Sequence, residues 1–377
     1  AMIFLPLVLI WAALLFLRRR SKRFLWLCLG SLILALSLSA FYLLPVTFEK
    51  NLVHLETTVG GYFSYTEHFK GIRKLFLERS WQYGSSIREV PGGEKDGMSY
   101  QIGWVHLLGW LLAAVAAKVL WKKNRWLSIS IILFSLTTIF AVFMAHPRSE
   151  FIWRPIEPLK YLQFPWRFLL LIIFFVSLMG GSIFRLDFKR KDLLWIVLVF
   201  AVVIFNFSYF RPEKFIQTND RKLLSGKDWD KQIKRSIFDY LPIYAKEPPA
   251  ELATARYQIL TGDSQVFDFH EGTNWLNFKT QTNSHTIIRL SQYYFPNWKV
   301  FVDGKEIVVE YKNNSLGLMT IILGEGSHTV EARLYDTPIR SASNLITLLG
   351  VVINVLLLLL SSEKVRSGIR YYGKRMH

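Results

Sequence analysis

The stretch 328–362, "HTVEARLYDTPIRSASNLITLLGVVINVLLLLLSS", carries two periodicities divided by a proline. From His328 to Asp336, Val330, Ala332 and Leu334 alternate with polar neighbours, as in a strand with one buried face. Across 342–361 the chain is mainly apolar, and ~20 such residues let a helix cross a hydrocarbon core. A sheet domain thus runs straight into a membrane span, with "DTPIRSASN" as the joint.

The strand pattern continues upstream in "ARYQIL", "QVFDFH", "WLNFKTQT", "HTIIRLSQYY", "KVFVDGKEIVVEY" and "LMTIIL". Asp303-Gly304, between two alternating runs, signals a two-residue hairpin, and Gly324 with Gly326 marks another turn. Seven short strands over ~85 residues predict an antiparallel β-sandwich. Before it, apolar stretches at about 2–17, 24–45, 101–120, 126–144, 167–184 and 193–209 bring the expected total to about seven spans. The chain opens directly in "AMIFLPLVLIWAALLFL", which reads as a start in mid-protein with further residues upstream.

Charge orients these spans. "RRRSKR" (18–23), "KKNR" (122–125), "RLDFKRKD" (185–192) and the tail 363–377 carry +5, +3, +2 and +4, most of the formal +18. By the positive-inside rule they face the cytoplasm, which places 46–100, 145–166 and 210–341 on the far side. Segment 46–100 is neutral, with seven basic and seven acidic residues. The basic excess is therefore a topology signal with some attraction to anionic lipid, and nucleic acid is set aside as a partner. Four parts follow: a six-span domain 1–209, a linker 210–250 with a short helix at 227–237, the sandwich 251–340, and the last helix with its basic tail, 341–377. The expected location is the plasma membrane, multi-pass, with the sandwich extracytoplasmic.

Familiar chemistry is sparse. Cys28 is the single cysteine, inside an apolar run, and there is no HExxH, CxxC, P-loop or GxSxG. The densest polar constellation is "AHPRSEFIWRPIEPLKYLQFPWRF", 145–168. It sets Arg148, Arg154, Lys160 and Arg167 beside Trp153 and Trp166 on a backbone stiffened by four prolines, against Glu150 and Glu157. Such a rim suits a lipid-linked phosphate or pyrophosphate, with guanidinium forks on phosphate oxygens; the alternative is snorkelling of Arg and Lys to headgroups. Glu49, four residues beyond Pro45, is an acid at the membrane face, and His54, Glu67 and His68 are further polar candidates. Lys70, Arg73 and Lys74 read as a basic helical face followed by Trp81, and 85–97 reads as an ordered loop. In "YFPNWKV", Trp298 either meets a sugar ring together with Tyr294 and Phe295 or belongs to the sandwich core; Trp153 and Trp166 are the other glycan-contact candidates.

"FYLLPVTFEK", "HFKGIRKLFLERSWQYGSS", "DGMSYQIGW", "LQFPWRFL", "DYLP", "YFPNWKVFVDGK" and "DTPIR" occur in this order. Together they resemble the C-terminal part of bacterial 6-pyruvoyl-tetrahydropterin synthase-related membrane proteins, close to the YfhO-like group, over nearly the whole chain. That group looks like GT-C type glycosyltransferases. The resemblance implies sugar transfer from a polyprenyl-phosphate donor to a cell-envelope glycan acceptor at the outer face. It implies no pterin chemistry, as no metal-binding His triad is visible. GT-C enzymes carry their catalytic acid just after the first span, so the expected acid lies upstream of Ala1, and Glu49 is the best acid within this chain. The phosphate-facing role carries over to Arg154 and Arg167, with a divalent metal as an optional cofactor. Two rivals stand beside it. One is a non-enzymatic scaffold or glycolipid- or polysaccharide-binding protein. The other is a lipid-linked saccharide transporter, disfavoured because His106 and Lys118 are the only ionisable groups within spans.

Overall fold

A computed structural model describes residues 2–79, 84–88, 96–187, 189–212, 214–235, 238–250 and 253–373. Trp81, residues 89–95 of the 85–97 loop and the last four residues of the basic tail lie outside the described residues. In chain order the helices are α1 (Phe4–Arg19), α2 (Lys22–Leu38), α3 (Ala40–Phe48), α4 (Ile72–Phe76), α5 (Trp104–Leu120), α6 (Arg125–Ala145), α7 (Glu150–Trp153), α8 (Leu169–Gly180), α9 (Lys191–Asn206), α10 (Asp220–Leu223), α11 (Gly226–Arg235) and α12 (Pro338–Gly373).

All seven apolar stretches are helical. Among the described residues, four helical runs are long and apolar enough to cross a membrane: Arg125–Ala145, Pro165–Arg185, Asp192–Phe210 and Pro338–Leu360. A fifth arises if α2 and α3, bent by 70°, form one broken span. Helices α1 and α5 are shorter, at 16 and 17 residues. In Asp192–Phe210 no residue is fully buried, and apart from a few half-buried positions such as Leu194 and Leu198 its apolar side chains face outward.

The span expected over about 24–45 is broken at Ser39. Ser37 and Ser39 turn their hydroxyls onto the carbonyls of Ile33 and Ala35, which loosens the ladder there. Thr347 of α12 repairs the break: its Oγ1 accepts from Phe41 N at 2.9 Å and donates to Ser37 O at 3.1 Å. Gly350, one turn on, lets the helices touch, because a Cβ there would meet Ser37 Cβ at 3.1 Å.

The chain divides into two compact units: Ala1–Trp11 with Glu56–Thr218, and Ala12–Leu55 with Asn219–His377. In the first, α5, α6 and α8 pack around Ile131, Leu171, Ile172 and Met179, and Ala113, Ala117 and Ala141 allow close approach. In the second lies the β-domain. Its strands are β1 (Tyr257–Thr261), β2 (Ser264–Glu271), β3 (Trp275–Thr282), β4 (Thr286–Tyr293), β5 (Trp298–Val302), β6 (Lys305–Ile307), β7 (Leu318–Leu323) and β8 (Gly326–Leu334). They form a three-stranded sheet, β1-β4-β7, and a five-stranded sheet, β2-β3-β8-β5-β6, antiparallel throughout. Both sheets feed one core, with Phe278, Val300 and Val330 from one and Ile288, Leu290 and Ile321 from the other. The eighth strand comes from splitting "KVFVDGKEIVVEY" at its predicted turn, where Asp303 and Gly304 adopt φ of 51° and 77°. After Ile307 the pattern stops pairing as a strand, and Val308 is exposed.

Candidate functional site

The segment "YLQFPWRF" builds a turn before it builds a site. Gln163 takes φ of 60°, unusual for a residue with a side chain, and its amide donates to Thr58 O at 2.7 Å. Pro165 then starts the helical run, where its missing N–H costs nothing. Arg167 folds back to give an Nη1 hydrogen to Leu162 O at 2.9 Å, and its guanidinium lies 4.9 Å from the Phe164 ring centroid. Arg167 is thus a half-buried brace of the turn, rather than the solvent-facing phosphate ligand expected. Trp166 points the other way and donates through Nε1 to Ser86 Oγ at 3.2 Å.

That bond leads into a buried polar cluster. His68 is wholly buried, with Nδ1 3.0 Å from Ser86 Oγ and Nε2 against the Tyr62 carbonyl. A carbonyl only accepts, so Nε2 carries the proton and Nδ1 accepts from the Ser86 hydroxyl. Burial lowers the His68 pKa, outweighing the raising effect of the Tyr62 carbonyl, and nearby Lys70 lowers it further. Beside it Lys70 and Asp96, both buried, form an ion pair. Lys70 Nζ also donates to Ile87 O at 3.1 Å and lies 4.3 Å from the Tyr100 ring centroid. Tyr100 completes the set by donating to Asp96 Oδ1 at 2.9 Å, and burial pushes its phenol pKa well above the ordinary value. Charges so deep are tolerated only when paired and hydrogen-bonded, as these are.

The cluster backs a pocket of ≈ 570 Å³, within the roughly 300–1,000 Å³ range of small-ligand sites. Tyr62, Ser64, Thr66, Glu67, His68, Ser86 and Arg88 supply its polar and aromatic wall. Glu67 there accepts from the Thr66 hydroxyl at 3.2 Å, and no cation pairs with it among the described residues. The predicted basic face of Lys70, Arg73 and Lys74 does not exist as such. Helix α4 begins only at Ile72, Lys70 and Lys74 are buried, and Lys74 pairs with Glu78 at 3.3 Å.

The remaining candidates separate. Arg148 is exposed, Arg154 pairs with Glu150 at 2.8 Å, and Lys160 pairs with Glu157 at 2.5 Å. Both pairs reach solvent, so competing anions can displace them. Trp153 is only 1% exposed: it stacks on Tyr65 at 5.2 Å and donates to Met144 O at 3.1 Å, a core position closed to glycan. Trp298 is 7% exposed within the sandwich core, so its core reading holds and the sugar platform does not. Trp166 is half-buried and committed to Ser86.

Glu49 belongs to the second unit and the cations of 148–167 to the first. It is buried, accepts from Arg340 Nε at 2.8 Å and from the Thr337 hydroxyl, and so locks the end of α3 to the start of α12. Both of its carboxylate oxygens are thus taken up within this joint. His54 is likewise structural, with Nε2 2.7 Å from Ala245 O. No group of three or more His, Cys, Asp or Glu side chains converges among the described residues.

Sequence reasoning named His68, Glu67 and Trp166 but not their partners Ser86, Asp96 and Tyr100. The signal was Asp96 and Tyr100 within "DGMSY", an acid and a phenol four residues apart in an otherwise plain loop. No family model, no curated protein and no solved structure matches this chain.

Proposed function

We propose that this is a multi-pass membrane protein of about seven spans, with an extracytoplasmic β-sandwich. It would act as a glycosyltransferase-like protein on a polyprenyl-phosphate-linked saccharide at the outer face of the plasma membrane. The observation that carries this reading is the bond from Trp166 to Ser86. It ties the cationic, proline-braced segment at a span entrance to a polar pocket backed by buried charges. Headgroup anchoring alone requires no such connection.

Transfer forms a bond between an acceptor oxygen and the anomeric carbon and breaks the bond from that carbon to phosphate oxygen. The bonding pair leaves on the phosphate, where Arg148, Arg154 and Lys160 offer counter-charge. The acceptor proton needs a carboxylate. Within this chain Glu67 fits that role better than Glu49, because it lines a pocket and lacks a cation partner among the described residues.

The second reading, a non-enzymatic binder of glycolipid or envelope polysaccharide, is favoured by the local pairing of Arg154 and Lys160 with their own glutamates. Photoreactive polyprenyl phosphate separates specific from general lipid contact. The proposal expects adducts concentrated at 148–160 and displaced by unlabelled polyprenyl phosphate. Adducts spread as widely as those of photoreactive phosphatidylglycerol would count against it.

A further inference from the structure

We infer that the pocket walled by Tyr62, Ser64, Thr66, Glu67, Ser86 and Arg88 is a carbohydrate site, taking an uncharged sugar ring rather than a phosphate or a lipid chain. The inference deepens the reading above, on which the presence of a saccharide substrate rests. Three features lead to this ligand class.

The first is charge. Glu67 and Arg88 are the two full charges on the wall and they offset one another, while burial keeps His68 neutral at physiological pH. A phosphate would meet a carboxylate with no excess of cations, unlike at 148–160. The second is hydrogen-bonding variety. Ser64 gives its hydrogen to Thr66 and Thr66 its own to Glu67, so the two hydroxyls and the carboxylate keep lone pairs that accept while Arg88 donates, a mixture that a ring of vicinal hydroxyls can meet. An apolar chain would cut the Glu67 carboxylate and the Arg88 guanidinium off from water. The third is Tyr62, which is 46% exposed and lines the pocket. Its ring offers a flat apolar surface to the C–H face of a sugar, while its backbone carbonyl is fixed by His68 Nε2.

The back wall is rigid for a stated reason. Ser86 gives its hydrogen to His68 Nδ1 and receives one from Trp166, so its oxygen is held between two neighbours. Lys70 holds the Ile87 carbonyl from behind, which fixes the backbone leading to Arg88. The sugar-facing groups are therefore presented by a framework that pays little ordering entropy on binding.

The test is saturation-transfer NMR with the methyl glycosides of glucose, galactose and N-acetylglucosamine on the detergent-solubilised full chain. Tyr62→Ala and Glu67→Gln change side chains at the pocket rim, and thermal melting checks that each variant remains folded. A second pair, Thr66→Val and Arg88→Ala, stands in should either fail. The inference expects at least one glycoside to bind wild type, and Tyr62→Ala or Glu67→Gln to weaken it by about tenfold, or roughly 1.4 kcal/mol. No signal from any glycoside, or equal binding by folded variants, would overturn it. Bare polyprenyl phosphate, run in parallel, keeps the two claims apart. Lipid binding without glycoside binding removes the carbohydrate site alone, and the converse removes the lipid-donor reading alone.

Discussion

Lys70 and Asp96 sit where neither charge is stable by itself, so each depends on the other and on Tyr100 and the Ile87 carbonyl. Removing one member of such a pair leaves an uncompensated buried charge, at a cost of about 3–5 kcal/mol. Lys70→Met and Asp96→Leu are each expected to lower the melting temperature sharply in detergent. The double variant should recover part of that loss, and additive losses would show that the pair is not coupled. His68 gives a pH signature. Its folded-state pKa lies below the usual 6.5, so the unfolded chain binds the extra proton first. The stability it contributes is therefore complete above 6.5 and declines as pH falls through and below that value. Melting followed across the acid range should show this decline, and His68→Gln should flatten it.

At the scale of elements, much was legible because period and turn chemistry are local. The strands follow the alternation, Asp303-Gly304 makes its turn, and α11 falls on the predicted 227–237 helix. The bend at Ser39 was not legible, because its repair depends on Thr347, some three hundred residues away in sequence. The role of Trp153 was hidden for the same reason, since a tryptophan near cations looks alike whether it faces water or a core; for Trp298 both readings were open, and the packing of the two sheets selects the core. Trp298→Ala should cost the β-domain about 3–5 kcal/mol, as expected for emptying a large core site. Glu49→Ala should loosen the joint of α3 and α12 by roughly 1.5–3 kcal/mol, the worth of a hydrogen bond to a charged group. Hydrogen exchange would place the first loss in 257–334 and the second around Thr337 to Ser343. Unchanged protection there would contradict these assignments.

For the whole molecule, the sequence specified helices, sheet domain and joint, yet it spread the candidate site over residues that the fold divides. Glu49 was drawn in by its nearness to a span, and its partner Arg340 lies at the far end of the chain. The pocket was missed because its residues carry no recognisable spacing; only folding brings Tyr62, Glu67 and Ser86 to one wall. The proposed orientation makes a further prediction. In a Cys28→Ser background, Lys305→Cys should react with an impermeant maleimide on intact cells, and Lys123→Cys only after lysis. Labelling of both from the same side would reverse or remove the orientation.

The central claim is that the 145–168 segment recognises a polyprenyl phosphate, beyond any anionic lipid. It is tested most directly by native mass spectrometry of the purified chain with polyprenyl phosphate and phosphatidylglycerol in competition. Wild type is compared with an Arg148→Ala, Arg154→Ala, Lys160→Ala variant that leaves the bracing Arg167 intact. The account predicts about a tenfold preference for polyprenyl phosphate, some 1.4 kcal/mol, that the triple variant loses while remaining folded. Equal retention of both lipids by wild type, or an unchanged preference in the variant, would contradict it.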